Sequence, residues 1–267
     1  MVRKTRINLL TISVVLICIG IIMIYSSSSI YAWERYNDSF YFLKRHLVFL
    51  VLGVLLTFLA MFFDYRLFRK HARLLLWIAL GLLVLVLIPG IGREISGAKR
   101  WFRFKFISFQ PSEFANLAFI IYLADFIARK GDKIKSLFEG FIPPICVLGA
   151  TALLILLQPD LGTVIALVSV VLIMLYVAGT RGSYILSLIL CSLPALYLLV
   201  FRVAYRRTRI LAFLNPWLDP KGTGFQIIQS QIAIGSGGLF GRGLGHSQQK
   251  LFYLPAAHTD FIFSIIG

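Results

Sequence analysis

Long apolar runs without charged side chains constrain the fold of this chain more than any other feature. A bilayer core of roughly 30 Å needs about 20 apolar residues in a helix. Six charge-free runs have about that length: Ile7–Trp33, His46–Phe63, Leu74–Gly92, Gly140–Pro159, Leu161–Thr180 and Gly182–Phe201. A seventh run, Ser112–Ala128, is apolar except for Glu113 and Asp125, and an eighth begins at Phe261. The sequence therefore predicts an all-α, polytopic transmembrane helix bundle with seven spans and the start of an eighth.

The composition supports a membrane protein and excludes the ordinary soluble classes. Hydrophobic residues make up 59% of the chain and charged residues only 14%, whereas about a quarter of the residues in an average soluble domain are charged. So few polar side chains could not cover a soluble fold of this length, and disorder is excluded as well. Cys18, Cys146 and Cys191 lie in apolar runs without CxxC or metal-ligand spacing, so no disulfide or zinc framework is predicted.

Basic residues at the N-terminus orient the predicted spans. The first apolar run is longer than the roughly 7–15 residues of a cleavable signal core, and Ser26–Ser29 is a poor cleavage site. Arg3, Lys4 and Arg6 precede this run, which places the N-terminus in the cytoplasm. Because a membrane chain rarely ends a few residues into a span, we expect the sequence to be the N-terminal part of a longer protein, truncated at its C-terminus.

This orientation places two segments outside the cytoplasm that carry an excess of positive charge. The orientation itself does not require these charges. The chain has 27 Lys and Arg against 11 Asp and Glu, a formal net charge of +16. Much of the excess lies in Gly90–Pro111 and Arg202–His258. Attraction to anionic headgroups is one explanation, and an anionic substrate such as a phosphate is the other. The length of both segments favours the substrate. Nucleic acid is not expected as a partner, because no basic arm or amphipathic basic face is available.

Acidic residues near the ends of the predicted spans have structural and functional interpretations. In the QPSEF segment, Pro111 suits a helix start and Ser112 could cap the helix. Glu113 favours a helix N-terminus, but it could also pair with Arg100 or Arg103, or receive a substrate.

Two further acids are expected to be structural. Asp160, in the QPDLGT segment between two spans, is well placed to cap the sixth span. Asp125 lies near the cytoplasmic end of its span with Arg129 four residues later, so we expect these side chains to pair.

Proline and glycine divide the long segment Arg202–His258. Residues Asn215–Pro220, followed by Gly222 and Gly224, are typical of turns. Residues Gly235–Gly245 include six glycines but lack the strand and helix that flank a dinucleotide-binding fingerprint. We expect a re-entrant or surface loop whose backbone N–H groups could meet an anion.

The segment Pro255–Phe263 contains the most informative acid. Thr259 or Asp260 could simply cap the eighth span. Alternatively, Asp260 lies on the outer side, beside a basic loop and at the edge of an apolar helix. A carboxylate there would be partly desolvated and suited to act as a general base. His258 lacks partner ligands at metal spacing, so a metal site there has little support.

Taken together, these segments resemble the SEDS family of bacterial cell-wall proteins, the FtsW/RodA/SpoVE group. The matching segments are GAKRW, QPSEF, QPDLGT, NPWLDPKGTGFQIIQS, GSGGLFGRGLG with Gln249–Leu251, and HTDFIF. They occur in family order across almost the whole chain. The glycine-rich loop followed by QKLFYLP is more similar to the division (FtsW) or sporulation branch than to the elongation (RodA) branch.

The resemblance implies a peptidoglycan glycosyltransferase of the bacterial cytoplasmic membrane that polymerises lipid II, the undecaprenyl-diphosphate-linked disaccharide peptide, at the outer face. It implies a class B penicillin-binding transpeptidase and other division or elongation proteins as partners. Residues 1–267 would form one SEDS-type membrane domain, part of a fold of about ten spans, with a large extracytoplasmic loop at 202–258. Two positions depart from the family pattern, where Asn116 replaces a common Lys and Ala256 a usual Glu, so no role of those side chains is carried over.

The family's catalytic candidate corresponds to Asp260. Our hypothesis is inverting transfer, in which Asp260 takes a proton from the acceptor 4-hydroxyl as it attacks the donor's anomeric carbon. The lipid diphosphate is already a good leaving group, so the protein mainly positions the reactants and stabilises charge. No nucleotide is needed; a divalent cation could assist, although no ligand cluster is present. The candidate substrate-binding residues are Arg100, Arg206, Arg209, Arg242, Lys250, Glu113 and His258.

Two rival functions use the same features. A flippase for lipid-linked precursor would use Glu113 or Asp125 as a coupling acid near mid-membrane. A non-catalytic scaffold for a transpeptidase would tolerate Asp260→Asn and would depend on helix surfaces instead.

Overall fold

Helices make up most of the chain. A computed structural model describes residues 2–90, 92–95, 98–103, 108–238, 240–243, 245–250, 254–255 and 257–267. Its α-helices are α1 (Val2–Tyr36), α2 (Tyr41–Phe62), α3 (Tyr65–Leu87), α4 (Pro111–Lys130), α5 (Ile142–Leu156), α6 (Leu161–Val177), α7 (Gly182–Phe201), α8 (Ala204–Leu214), α9 (Phe225–Gly237) and α10 (Ile262–Ile266). Its strands are β1 (Arg93–Ile95), β2 (Ala98–Arg103) and β3 (Ser108–Phe109).

The apolar runs of the sequence correspond to the long helices. Within the described residues, six helices are long and apolar enough to cross a membrane: α1, α2, α3, α4, α5 with the π-helical turn before it, and α7. The remaining predicted span, Leu161–Thr180, corresponds to α6, which is apolar and shorter, close to the lower limit of about 17 residues for a span. No residue of α2 is buried within the chain, as expected for a helix that lipid would cover. The prediction of a helical, polytopic membrane protein is confirmed.

The chain divides into two compact units. The first unit comprises Met1–Met61 and Leu196–Gly267, and the second comprises Phe62–Ala195. The division falls within α7.

The second unit has a continuous apolar core at its centre. Along α3, Ala72, Leu76, Ala79, Leu83 and Val86 are buried, and this spacing places them on one face of the helix. That face packs against α4, where Ala115 and Ala118 allow the two backbones to approach closely. Residues of α5 and α6 complete the same cluster.

A small antiparallel sheet follows α3 in the second unit. Its strand order is β1-β2-β3, with Glu94 opposite Lys99 and Phe102 opposite Phe109. The all-α prediction did not include this sheet. Aromatic and basic residues alternate from Phe102 to Phe106, a period of two that is typical of a strand, but only Phe102 and Arg103 of that run belong to β2.

In the first unit, α1, α9 and α10 meet. Met23 of α1 and Ile265 of α10 belong to one buried cluster, and the hydroxyls of Ser230 and Ser264 form a hydrogen bond of 2.6 Å between α9 and α10. Gly237 leaves no room for a side chain, since a Cβ there would collide with the backbone of Gly267. The end of α9 therefore lies directly against α10.

The segment 202–258 contains more regular structure than a loop. It includes α8, α9 and two 3-10 turns, at Pro216–Leu218 and Gln248–Lys250. The first three glycines of the glycine-rich run lie at the end of α9 or directly after it, and Gly238, Gly241, Gly243 and Gly245 have positive φ. Left-handed backbone of this kind favours glycine, which explains the composition of the run.

Candidate active site

Asp260 lies in the turn that precedes α10, in the first unit. The N-cap of α10 is Phe261, which makes no capping hydrogen bond through its side chain. The prediction that Thr259 or Asp260 caps this helix is therefore wrong. The reason is the position of the helix start, because α10 begins at Ile262 and leaves Asp260 one residue before the cap.

The Asp260 carboxylate is exposed and unengaged. Asp260 is exposed within the chain and lies in a turn, and its desolvation at the membrane edge stays a prediction. No described side chain forms an ion pair with Asp260, and no described donor hydrogen-bonds to it. The carboxylate oxygens are thus free to accept a hydrogen bond from a hydroxyl group.

His258 is held by aromatic rings two residues before Asp260. Its imidazole stacks on Tyr31 of α1 with 5.0 Å between ring centroids, and it lies 4.7 Å from the ring of Phe42 at the start of α2. Burial lowers the pKa of His258, and the nearby Asp260 carboxylate opposes that shift. No local sequence pattern links Tyr31 or Phe42 to His258, since both lie more than 200 positions away along the chain.

Three predicted substrate-binding arginines lie in the first unit, and each makes one contact with the protein. Arg206 donates to the carbonyl of Leu199 (3.0 Å). The guanidinium of Arg209 lies 4.5 Å from the centroid of the Tyr205 ring. Arg242 donates to the carbonyl of Ser236. The remaining N–H groups of each guanidinium stay available, while the side chain of Lys250 lies outside the described part of the chain.

Arg242 lies on the wall of a cavity beside α10. Its Nε donates to the carbonyl of Ser236 at 2.8 Å, which fixes the side chain at the end of α9. The cavity has a volume of about 340 Å³, and Met23 of α1 and Ser264 of α10 also line it. Arg242 is therefore the predicted arginine that the structure places next to the helix following Asp260.

Arg100 is engaged in the second unit. Its Nε donates to the carbonyl of Gln158 (2.9 Å), a second nitrogen donates to the carbonyl of Pro159, and a third lies 3.7 Å from the carboxylate of Asp160. These contacts clamp β2 to the connection between α5 and α6. The prediction that Arg100 binds a pyrophosphate draws no support from this geometry.

The beginning of α4 differs from the prediction. The N-cap is Gln110, with Pro111 as the first helical residue, so the prediction that Ser112 caps the helix is wrong. Ser112 is fully buried and accepts a hydrogen bond from Gln110 (2.9 Å). Glu113 is exposed and does not pair with Arg100, which pairs with Asp160 instead. A pair with Arg103 involves a side chain outside the described part.

The two acids expected to be structural behave as predicted. Asp160 caps α6 by accepting a hydrogen bond from the backbone N–H of Thr163 at 3.3 Å. Asp125 pairs with Arg129 at 2.8 Å. Asp125 also pairs with Arg69 of α3 at 3.4 Å, a contact that the sequence did not reveal because 56 positions separate the two residues.

The turn predicted at Asn215–Gly224 is present, and the Asp219 side chain closes it, which was not predicted. Asp219 accepts hydrogen bonds from the N–H groups of Gly222 (3.1 Å) and Thr223 (2.8 Å), and from the Thr223 hydroxyl. These bonds, first of all the one from the Thr223 N–H, lower the pKa of Asp219. Asp219 thus stays ionised and holds the turn between α8 and α9.

Asn116 and Ala256 are the two positions that depart from the family pattern. The side-chain oxygen of Asn116 is buried and has no hydrogen-bond partner among the described residues. Ala256 lies outside the described residues. No group of three His, Cys, Asp or Glu side chains in the described chain has the geometry of a metal site, and a divalent cation remains a prediction.

The chain matches a known family along almost its whole length. The profile of the "Cell cycle protein" family, which groups FtsW, RodA and SpoVE, matches residues 6–267. A probable peptidoglycan glycosyltransferase FtsW of Geobacter metallireducens is 48% identical over 100% of this chain and 71% of its own length. The stage V sporulation protein E of Bacillus subtilis is 46% identical over 99% of this chain and 73% of its own.

A solved structure shares the fold as well. A chain of a peptidoglycan synthase complex that coordinates polymerization and crosslinking superposes with a TM-score of 0.66 and 33% identity. The match covers 93% of this chain and 68% of that one. The names FtsW and stage V sporulation protein E agree with the branch that the glycine-rich loop indicates.

We expect Arg100→Gln to lower the free energy of unfolding by about 1–3 kcal/mol, because it removes the ion pair with the buried Asp160 carboxylate and the hydrogen bonds to the carbonyls of Gln158 and Pro159. Thermal unfolding of the purified protein in detergent measures this loss. Arg181→Gln is the matched control, since among the described residues the side chain of that arginine hydrogen-bonds and stacks with Tyr184 alone. Equal effects of the two substitutions would contradict the clamp.

We also expect the His258 segment to lose stability in acid. The folded state favours the neutral imidazole, so the unfolded state binds more protons as the pH falls through about 6.5. Stability should therefore fall between pH 7.5 and 5.5, and His258→Gln should reduce that slope. His246→Gln, at an exposed position, should leave it unchanged. An identical slope in wild type and His258→Gln would contradict the burial of a neutral His258.

Proposed function

Because this chain belongs to the FtsW/RodA/SpoVE family of cell cycle proteins, we propose that it polymerises peptidoglycan glycan strands from lipid II, with Asp260 as the general base. The chain is a multi-pass membrane peptidoglycan glycosyltransferase, as its family and its relatives at 46–48% identity indicate. The substrate, the catalytic residues and the orientation in the membrane are the proposed part.

The observation that carries the proposal is the state of the Asp260 carboxylate. It is neither a helix cap nor a partner in an ion pair with any described side chain, and it stands beside an apolar helix. A structural role therefore does not explain the presence of Asp260. A carboxylate with free oxygens is suited to receive the proton of a sugar hydroxyl that comes within hydrogen-bond reach.

In the proposed reaction one proton is transferred, one C–O bond forms and another C–O bond breaks. The 4-hydroxyl of the acceptor sugar loses its proton to Asp260 as its oxygen attacks the donor's anomeric carbon. A new C–O bond forms on the face opposite the diphosphate, and the C–O bond to the diphosphate breaks, so the configuration inverts. The departing diphosphate takes the electron pair and needs no proton at that moment, since it is a good leaving group.

The diphosphate requires positive charge near Asp260. Arg242 suits this role, since a contact with Ser236 fixes it on a cavity that α10 also lines. Arg206 and Arg209 are further candidates, since each leaves most of its N–H groups unused. The planar guanidinium can donate two parallel hydrogen bonds to phosphate oxygens. His258, stacked on Tyr31, would position the turn that carries Asp260.

The proposed location is the bacterial cytoplasmic membrane, with the N-terminus inside and Asp260 at the outer face. The basic residues before α1 support this orientation. A class B transpeptidase is the proposed partner, supported by the likeness to a chain of a peptidoglycan synthase complex.

The structure gives a reason to prefer this function over the flippase. Asp125, a candidate coupling acid, is paired with both Arg69 and Arg129 and lies near the end of α4. Both of its carboxylate oxygens are already held by guanidinium groups, so Asp125 has a structural role that accounts for its presence. The other candidate, Glu113, is exposed in the first turn of α4 and not near mid-membrane.

We expect Asp260→Asn to lower the rate of glycan polymerisation from purified lipid II by at least about 100-fold, since the amide cannot accept the hydroxyl proton. The assay uses the full-length protein with its cognate transpeptidase and follows polymer length on gels. Asp132→Asn is the matched control, because that exposed acid forms an ion pair with Lys135 and with no other side chain in the described part of the chain. Equal polymer from wild type and a folded Asp260→Asn would refute the base and favour the scaffold.

Arg242→Ala should weaken lipid II binding about tenfold or more, because the substitution removes a charge-assisted contact to phosphate. Arg242→Lys should restore part of the affinity, since it keeps the charge but loses the planar fork. Fluorescent lipid II titrated into protein in detergent gives the dissociation constant, and Arg181→Ala is the control. Unchanged affinity in Arg242→Ala would remove this residue from the diphosphate site.

A further inference from the structure

A groove opens on the second unit between α3, α4 and α5. It has a volume of about 550 Å³, within the usual range of small-molecule sites. Arg73, Trp77, Tyr122, Arg129, Val147 and Ala150 are among its lining residues. The polymerisation reaction proposed above uses none of them.

The groove is charged at one end and apolar along the rest. Arg73 and Arg129 lie near the ends of α3 and α4 that carry most of the basic residues, while Leu80 lies two turns further along α3. Seven residues of helix correspond to about 10 Å. A ligand in this groove would therefore hold an anionic group at one end and an apolar chain at the other.

The charge at the mouth is not neutralised by the protein. Asp125 pairs with Arg129 and Arg69, so one carboxylate faces two guanidinium groups. Arg73, one helical turn after Arg69, is exposed and forms no ion pair with a described side chain. Three arginines against one acid leave a local charge of +2 at the mouth.

The sides of the groove face the surface that lipid would cover. Trp77 is 70% exposed, and Leu74 and Ile78 on the same helix are also exposed. Tryptophan in this position is typical of the interface between headgroups and acyl chains. A soluble phosphate compound has no apolar chain that could fill the apolar part of this groove, whereas a lipid has one.

From these observations we propose that the groove binds one anionic phospholipid. Its phosphate contacts Arg73 and the free edge of Arg129, and one acyl chain lies along Trp77, Val147 and Ala150. Basic pockets between spans are known to hold anionic headgroups in this way. The site is independent of Asp260 and of the proposed reaction.

The test measures lipid retention by the full-length protein in native mass spectrometry. The probes are phosphatidylglycerol and phosphatidylcholine with identical acyl chains. Wild type should retain one phosphatidylglycerol in preference to phosphatidylcholine, and Arg73→Ala should reduce that preference about fivefold. Arg73→Lys should restore it in part. Ala150→Trp, which fills the apolar part of the groove and leaves every arginine in place, should also displace the lipid.

Lys70→Ala is the matched control, because Lys70 is an exposed cation on the same turn of α3 that does not line the groove. Equal losses in Lys70→Ala and Arg73→Ala would overturn the site and indicate diffuse attraction to the surface. Full retention in Ala150→Trp, equal retention of both lipids by wild type, or displacement by inorganic phosphate alone would overturn it as well. Since none of these readouts is polymer formation, failure here is distinct from failure of the proposed function.

Discussion

The absence of water from the bilayer core is the constraint on which the rest of this structure depends. Backbone polar groups must be satisfied inside each helix there, and a charged side chain is costly unless it is paired. The long helices meet the first condition. The second is eased because three of the acids discussed above lie near helix ends. Asp125 lies near the end of α4, Asp160 before α6, and Asp260 before α10.

These three acids differ in how the protein neutralises them. Asp125 and Asp160 are only 8% and 9% exposed, and each has an arginine within 4 Å and further donors or charges nearby. Asp260 is exposed, and no described side chain pairs with it. Two acids thus stabilise helix connections, while the third has no structural partner. This contrast is the physical basis for assigning the chemistry to Asp260.

The sequence predicted the helices well because their signal is local. A run of about 20 apolar residues identifies a span by itself, and Asp160 or the Asp125–Arg129 pair needs only a few neighbouring residues to be recognised. The sheet at 93–109 was missed because its strands are short and lie in a segment interpreted by charge alone. The Arg69–Asp125 and Tyr31–His258 contacts join residues far apart in the chain, and local patterns carry no information on such pairs. The N-cap of α10 is Phe261, one or two residues after the expected position. Asp260 is therefore not the cap of this helix.

We propose that Asp260 moves a proton and does not hold the substrate. Lipid II affinity and the single-turnover rate of transfer, both measured on the same Asp260→Asn protein, separate these roles. If Asp260 moves the proton, the affinity should be unchanged and the rate lowered at least about 100-fold. A loss of affinity as large as the loss of rate would contradict it, because Asp260 would then be a binding residue.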